Sequence, residues 1–261
     1  MNRGFKEPVR RDGGANPVLL CDADGNLFGS EGPAFAASHS VVNDFLGAIG
    51  SERRFSSEQL RRQTTGRNFR STARWLAQLD ACPLSEKELE RWVEQERREV
   101  TAHLALTLRP DHAIRSALLR LSEHYDLAIV TSSALSRVDQ CLRVTGLSDL
   151  FLPQRRFSAE DSLPAPRSKP YPDVYLQALA DLDVSPEQAL AIEDSVAGVR
   201  AARAAGVLTI GNTNFVGDGE RAATARELQL AGALAVFSSW TEVVDFATGC
   251  HPARLPLASG A

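Results

Sequence analysis

The amino-acid sequence predicts an α/β protein, a doubly wound parallel sheet of the Rossmann type with an inserted all-helical domain. From residue 110 onward, short apolar strands alternate with helical patterns, which is the arrangement of a parallel sheet covered by helices on both faces. Between residues 34 and 103 the apolar residues recur at three-to-four spacing without a convincing strand. The expected division is a flexible tail at 1–16, an α/β core at 17–31 and 108–249, a helical domain at 32–107 and a tail at 250–261.

The first predicted strand is the apolar run at 18–21, which follows Pro17 and ends in Asp22-Ala23-Asp24-Gly25. Two carboxylates therefore lie at the carboxyl end of a buried strand. Because the chain turns at Gly25, Asp24 can swing toward Asp22. Two acids crowded in this way need a cation.

The helical domain follows a turn-like stretch at 28–33, which contains two glycines and a proline and predicts a hinge. The apolar spacing predicts a first helix from about 34 to 49, with Gly50 as its stop signal. Ser85 and Glu88 form a capping-box pattern. The further helices predicted in this domain span 57–63, 69–79 and 85–106.

Strands and helices then alternate to the end of the core. Strands are predicted at 127–133, 151–157, 189–194, 207–210 and 235–237, and helices at 111–124, 135–145, 175–182 and 195–205, with a further helix start at Pro186. Lys169 lies in a proline-rich loop at 162–172. Ligands of such sheets bind at the carboxyl ends of the strands. The polar residues predicted to meet at these ends are Asp22, Asp24, Thr131, Glu193 and Asp194.

This set of side chains is suited to phosphate chemistry. Carboxylates hold Mg²⁺ through oxygen ligands, while Thr131 and Lys169 can bind an oxyanion. Once the charge repulsion is neutralised, one carboxylate can attack phosphorus in line and a second can protonate the departing oxygen. Asp22 and Asp24 suit these two roles.

Four motifs occur in order along the chain: Asp22-Ala23-Asp24-Gly25-Asn26-Leu27, Val130-Thr131-Ser132, Lys169-Pro170-Tyr171-Pro172-Asp173 and Ile192-Glu193-Asp194-Ser195-Val196-Ala197-Gly198. With them the sequence resembles the haloacid dehalogenase-like hydrolases, within these the subgroup of phosphoglycolate phosphatases and β-phosphoglucomutases. The resemblance covers about residues 17–213. The helical domain takes the place of the family's mobile cap.

The resemblance implies a phosphatase that depends on Mg²⁺ and works through an aspartyl-phosphate. Asp22 would be the nucleophile and a metal ligand. Asp24 would be the general acid and base, and its backbone carbonyl would also bind the metal. Asp194 would complete the metal shell, with Glu193 beside it.

The resemblance also implies which residues bind the substrate, a small phosphorylated metabolite. Thr131 would hydrogen-bond the phosphoryl group, and Lys169 would neutralise the nucleophile and the phosphate. Ser132 would contact the substrate, as would Gly66 and Arg67 in a loop of the cap. For Arg67 an exposed arginine at a helix start is an equally open interpretation.

Each of these residues also has a plainer explanation. Asp24 can cap a turn, Lys169 can be a solvated loop lysine, and Glu193 with Asp194 can be a charge pair at a helix N-terminus. These explanations would all have to coincide at strand ends, so the functional interpretation is favoured.

The sequence departs from the family at a few positions. Asn26 replaces the usual threonine, and Gly29 stands where an acid is often found. Ala34 falls where β-phosphoglucomutases carry a hinge histidine, and Lys87 is the only lysine of the cap that could grip a second phosphate. A phosphatase is therefore favoured over a phosphosugar mutase.

Two alternatives stay open, the mutase and a catalytically idle binding or regulatory protein that keeps the fold. Dehalogenases lack the second acid, and the phosphonate-cleaving relatives replace it with a small residue. Asp24 argues against both of these activities.

Composition excludes several other classes. The formal charge of −4 argues against a nucleic-acid partner. The four cysteines have no C-x-x-C spacing, so they indicate neither a zinc site nor a disulfide framework. No run approaches the roughly 20 apolar residues of a membrane span, and residues 1–15 lack the apolar run of a signal peptide. We expect a cytoplasmic protein without a membrane partner, whose oligomeric state the sequence does not predict.

Overall fold

The computed structural model describes residues 16–64 and 68–249. Its sheet has six strands, all paired in parallel in the order β3-β2-β1-β4-β5-β6. The strands are β1 (Val18–Cys21), β2 (Asp126–Thr131), β3 (Arg156–Ser158), β4 (Ala189–Glu193), β5 (Leu208–Asn212) and β6 (Val236–Phe237). Helices flank this sheet, which confirms the predicted α/β class.

Contacts between Cα atoms divide the described chain into two compact units. The first contains 16–27, 110–138 and 146–249, and the second contains 28–64, 68–109 and 139–145. The sequence assigned 139–145 to the core. It falls elsewhere because spatial contacts, rather than order along the chain, define these units.

The second unit contains four helices besides the end of a fifth. They are α1 (Glu31–Ala48), α2 (Ser57–Thr64), α3 (Phe69–Leu79) and α4 (Glu86–Thr107). The predicted capping box is present, since the Ser85 hydroxyl accepts from the Glu88 N–H and the Glu88 carboxylate accepts from the Ser85 N–H. The core of this unit includes an edge-on contact between Phe45 and Trp92, with ring centroids 5.6 Å apart. No strand occurs in its described residues.

The predicted hinge at 28–33 is too long. Helix α1 already begins at Glu31, so Gly32 and Pro33 belong to its first turn. Proline is tolerated there because the first N–H groups of a helix have no partner within the helix.

Six helices follow along the chain. They are α5 (His112–Ser122), α6 (Leu135–Thr145), α7 (Asp173–Asp181), α8 (Val196–Ala204), α9 (Asp218–Leu230) and α10 (Trp240–Gly249). Pro186 opens only a short 3₁₀ turn at Pro186–Gln188, so the helix start predicted there was wrong. Another 3₁₀ turn at Pro153–Arg155 delays β3 to Arg156, because its proline supplies no N–H for a sheet.

Strand β1 lies between β2 and β4 in the sheet. Cys21 is level with Ile129 on one side and with Ile192 on the other. All three strands run in the same direction, so the residues that follow them meet at one edge. No helix of the described chain is long and apolar enough to cross a membrane.

Candidate active site

The first carboxylates of the site follow β1 directly. The Asp22 N–H donates to the Ile192 carbonyl over 3.0 Å, which continues the pairing with β4, and Asp22 is only 8% exposed. The chain then turns with Gly25 at a φ of 75°, a conformation that glycine adopts without strain. Asp24 follows as a half-buried residue whose Oδ2 accepts from the Ser133 hydroxyl at 2.7 Å. The turn thus places both acids at the sheet edge.

Lys169 links three strand ends through a single ammonium group. Its Nζ lies 2.5 Å from Asp22 Oδ1, 2.6 Å from Glu193 Oε1 and 2.8 Å from the Val130 carbonyl. All three donor positions of an ammonium are therefore used. The proline-rich loop after β3 brings this lysine into the site, as the sequence predicted.

Glu193 ends β4 and is fully buried. Its Oε1 accepts from both Lys169 and the Tyr175 hydroxyl, the latter at 2.5 Å. Its Oε2 is buried and has no hydrogen-bond partner among the described residues. The carboxylate fills the space above Gly198 in α8, where an added Cβ would lie 1.7 Å from Oε2. A glycine at 198 is therefore a geometric requirement of this site.

Three carboxylates form a group that could hold a metal ion. Oxygen atoms of Asp22, Glu193 and Asp194 lie within 4.8 Å of one another. Hard divalent cations prefer such an all-oxygen donor set, so the residues fit Mg²⁺, although the set does not identify the metal. Asp24 lies outside this group, and its predicted role as a ligand through its backbone carbonyl stays a prediction.

The hydroxyl residues after β2 lie at the same edge. Thr131 is buried, and its Oγ1 accepts from the Ser133 N–H at 3.0 Å. The Ser132 hydroxyl accepts from the Lys169 N–H at 3.4 Å. The sequence assigned no role to Ser133, the residue that contacts Asp24. Its position as the third consecutive hydroxyl at a strand end was the available signal.

Burial and charge shift the protonation of the central pair. Burial, with a further contribution from Glu193, raises the pKa of Asp22 to about 7 against the opposing effect of Lys169. Burial lowers the pKa of Lys169, but Asp22 and Glu193 raise it more, so its net pKa lies above the ordinary value. Lys169 therefore remains an ammonium. The crowded carboxylates keep an unmet demand for positive charge.

Asn26, which departs from the family pattern, lies in a buried hydrogen-bond network. Its Nδ2 donates to the Asp22 carbonyl at 2.9 Å, and its Oδ1 accepts from Asn212 Nδ2 at 2.8 Å. Its backbone carbonyl accepts from Trp240 Nε1 at 3.1 Å. The side chain of Asn26 thus ties the turn after β1 to the end of β5.

We expect Asn212→Ala to lower the free energy of unfolding by about 1–3 kcal/mol, because it leaves the buried Asn26 Oδ1 without its donor. Urea titration followed by circular dichroism measures this change. Asn214→Ala, at a half-buried neighbour, is the matched control and should cost less. Equal losses for both variants would show that the Asn26–Asn212 contact contributes nothing specific.

The site thus brings together Asp22, Asp24, Thr131, Ser132, Lys169, Glu193 and Asp194 at the carboxyl edge of the sheet. Gly66 and Arg67, predicted to bind substrate, lie outside the described residues. The roles of all these residues stay predictions.

Comparison with known proteins gives consistent results. A family model for haloacid dehalogenase-like hydrolases matches residues 18–206. "Protein CbbY" of Cereibacter sphaeroides is 30% identical over 234 residues, which are 87% of this chain and 93% of that protein. Among solved structures, a putative β-phosphoglucomutase from Thermotoga maritima is 26% identical, with a TM-score of 0.64 over 89% of this chain and 99% of that one. A hydrolase from Deinococcus radiodurans R1, solved with bound phosphate and sodium, is 25% identical, with a TM-score of 0.58 over 87% and 93%.

Proposed function

The chain belongs to the haloacid dehalogenase-like hydrolase family, and on that premise we propose that it is a Mg²⁺-dependent hydrolase of small phosphate monoesters. The proposed reaction passes through a phosphate ester of Asp22. The contact that carries this proposal is the Lys169 ammonium held between Asp22 and Glu193, beside a cluster of three carboxylates. A nucleophilic carboxylate, a fixed cation and a metal-type donor set are the elements that phosphoryl transfer requires.

In the first proposed half-reaction, an Asp22 carboxylate oxygen attacks phosphorus and the bond from phosphorus to the ester oxygen breaks. Asp24 gives its proton to the departing oxygen, which leaves as an alcohol. The Ser133 hydroxyl holds Asp24 at the site edge, which supports this role.

In the second half-reaction, the Asp24 carboxylate takes a proton from water and the water oxygen attacks the same phosphorus. The bond from phosphorus to the Asp22 oxygen breaks, which releases inorganic phosphate and regenerates both carboxyl groups. Thr131 and Lys169 are proposed to bind the phosphoryl oxygens through both steps.

The proposed metal ligands are Asp22, Asp194, the backbone carbonyl of Asp24 and, within the same carboxylate group, Glu193. Mg²⁺ would supply charge neutralisation for the transferring phosphoryl group. Glu193 also binds Lys169 and Tyr175 through one oxygen, so its contribution to metal binding rests on the other oxygen.

Two alternative functions differ from this proposal in observable ways. A phosphosugar mutase would isomerise its substrate without net phosphate release, and Ala34 and Lys87 disfavour it for the reasons given above. An idle binding protein would keep the fold without turnover. The buried contacts of Asn26 argue against this last alternative, because the departing residue supports the turn that carries Asp22.

The test is phosphate release from a panel of sugar phosphates, phosphoglycolate and nucleotides, with and without Mg²⁺. We expect Mg²⁺-dependent release from at least one small ester. Isomerisation without release would favour the mutase. Failure of every compound to react would contradict the proposal, and tight joint binding of Mg²⁺ and a fluoride mimic of phosphate would be missing in an idle protein.

A further inference from the structure

We propose that Tyr175 is a positioning residue for this reaction: its hydroxyl holds Glu193 so that the Lys169 ammonium stays bound to Asp22. The inference rests on the proposed function. It concerns a residue of α7 that lies two positions beyond the lysine motif and that no motif assigns to the site.

Tyr175 contacts both partners of the central ion pair. Its hydroxyl donates to Glu193 Oε1 at 2.5 Å, the same oxygen that Lys169 Nζ binds at 2.6 Å. Its ring centroid lies 5.3 Å from that Nζ, within the range of a cation–π contact. The side chain is fully buried, so these contacts are fixed by the packing of the core.

The hydroxyl matters because Glu193 has few other partners. One of its carboxylate oxygens has no hydrogen-bond partner among the described residues, so the buried charge depends on the two donors at the other oxygen. Burial raises the pKa of Tyr175 well above its usual value, which keeps the hydroxyl protonated and able to donate.

Loss of this hydroxyl would leave Lys169 as the only donor to Glu193. The buried carboxylate would then draw the ammonium more strongly and weaken its contact with Asp22. Because Lys169 is proposed to neutralise the nucleophile and the phosphoryl group, the transition state should lose more than the ground state. Tyr175 thus acts through Glu193 and Lys169 rather than on the substrate.

Tyr175→Phe isolates the hydroxyl, because the ring and its packing remain. With the ester that wild type turns over fastest, we expect kcat to fall about tenfold or more with little change in KM, since a hydrogen bond to a buried charge is lost. Mg²⁺-dependent binding of beryllium fluoride should weaken in parallel, and this readout requires no turnover.

Tyr125→Phe is the matched control. Tyr125 is also buried, and its hydroxyl donates to the Ala247 carbonyl at 2.8 Å, away from the site residues. Both variants should lower Tm, but only Tyr175→Phe should lower kcat and beryllium fluoride affinity. Equal kcat and equal affinity in the two variants would overturn the proposal.

The two proposals fail in different ways. If wild type releases no phosphate from any ester, the proposed function is wrong, and binding of inorganic phosphate with Mg²⁺ to the same two variants then decides the role of Tyr175. Weaker phosphate binding in Tyr175→Phe than in Tyr125→Phe would support the positioning role. Identical binding would refute it.

Discussion

Asp22→Asn is expected to lower phosphate release by about a thousandfold or more. An amide oxygen is a poor nucleophile compared with a carboxylate, so the proposed ester on residue 22 cannot form at a useful rate. The substitution also removes one negative charge from the metal-type cluster. The chain should still fold, because Lys169 keeps its contacts with Glu193 and the Val130 carbonyl.

Single-turnover assays with and without Mg²⁺ measure this loss, and thermal unfolding tests whether the fold is intact. Asp44→Asn, at an exposed position of α1, is the matched control and should keep wild-type activity. Phosphate release by Asp22→Asn at the wild-type rate would rule out Asp22 as the nucleophile.

Gly198→Ala should damage the site without touching any charged residue. The added Cβ would lie 1.7 Å from Glu193 Oε2 and 2.0 Å from the carboxyl carbon, so the carboxylate must leave its place. That movement breaks its contacts with Lys169 and Tyr175. We expect a loss of activity of about a hundredfold and a cost to stability of about 1–3 kcal/mol, as for other overpacked interiors.

Gly219→Ala provides the matched control for this effect. Gly219 lies in α9, and an added Cβ there meets no atom within 4 Å. The change should leave activity intact and should leave stability unchanged or raise it by up to about 1 kcal/mol, because alanine favours a helix. Wild-type activity and Tm in Gly198→Ala would show that Glu193 does not depend on the space above residue 198.

Much of the site could be predicted because a parallel sheet gathers its strand ends. Asp22, Thr131 and Glu193 are far apart in sequence, but each ends or follows a strand whose apolar run is plain. Register alone then places them at one edge. Lys169 was predicted from its motif, since a proline-rich loop gives no periodic signal.

The supporting contacts could not be predicted for a different reason. Tyr175 lies on the buried face of α7 with Ala178 and Leu179, so its spacing indicates core packing and does not reveal a partner for its hydroxyl. The contact between Asn26 and Asn212 spans 186 positions and depends on how β5 and the turn after β1 meet in space. Neither pattern is visible along the chain.

Two helices were also missed, and the causes differ. Helix α9 has a single buried residue among those listed for it, Leu228, so it lacks the apolar stripe that predicts a helix. Helix α10 buries Trp240, Val243, Val244 and Ala247, a regular helical spacing that the sequence did contain. The first omission follows from the physics of an exposed helix, whereas the second was avoidable.

The central place of β1 in the sheet also constrains how the protein is made. Its strand partners begin about a hundred residues later in β2 and later still in β4, with the helical segment synthesised in between. At typical ribosomal rates of roughly 5–20 residues per second, the apolar segment Val18–Cys21 waits several seconds for its first partner. The nascent chain therefore exposes an unpaired strand during this interval. The nucleophile also has no counterion until Lys169 has left the ribosome.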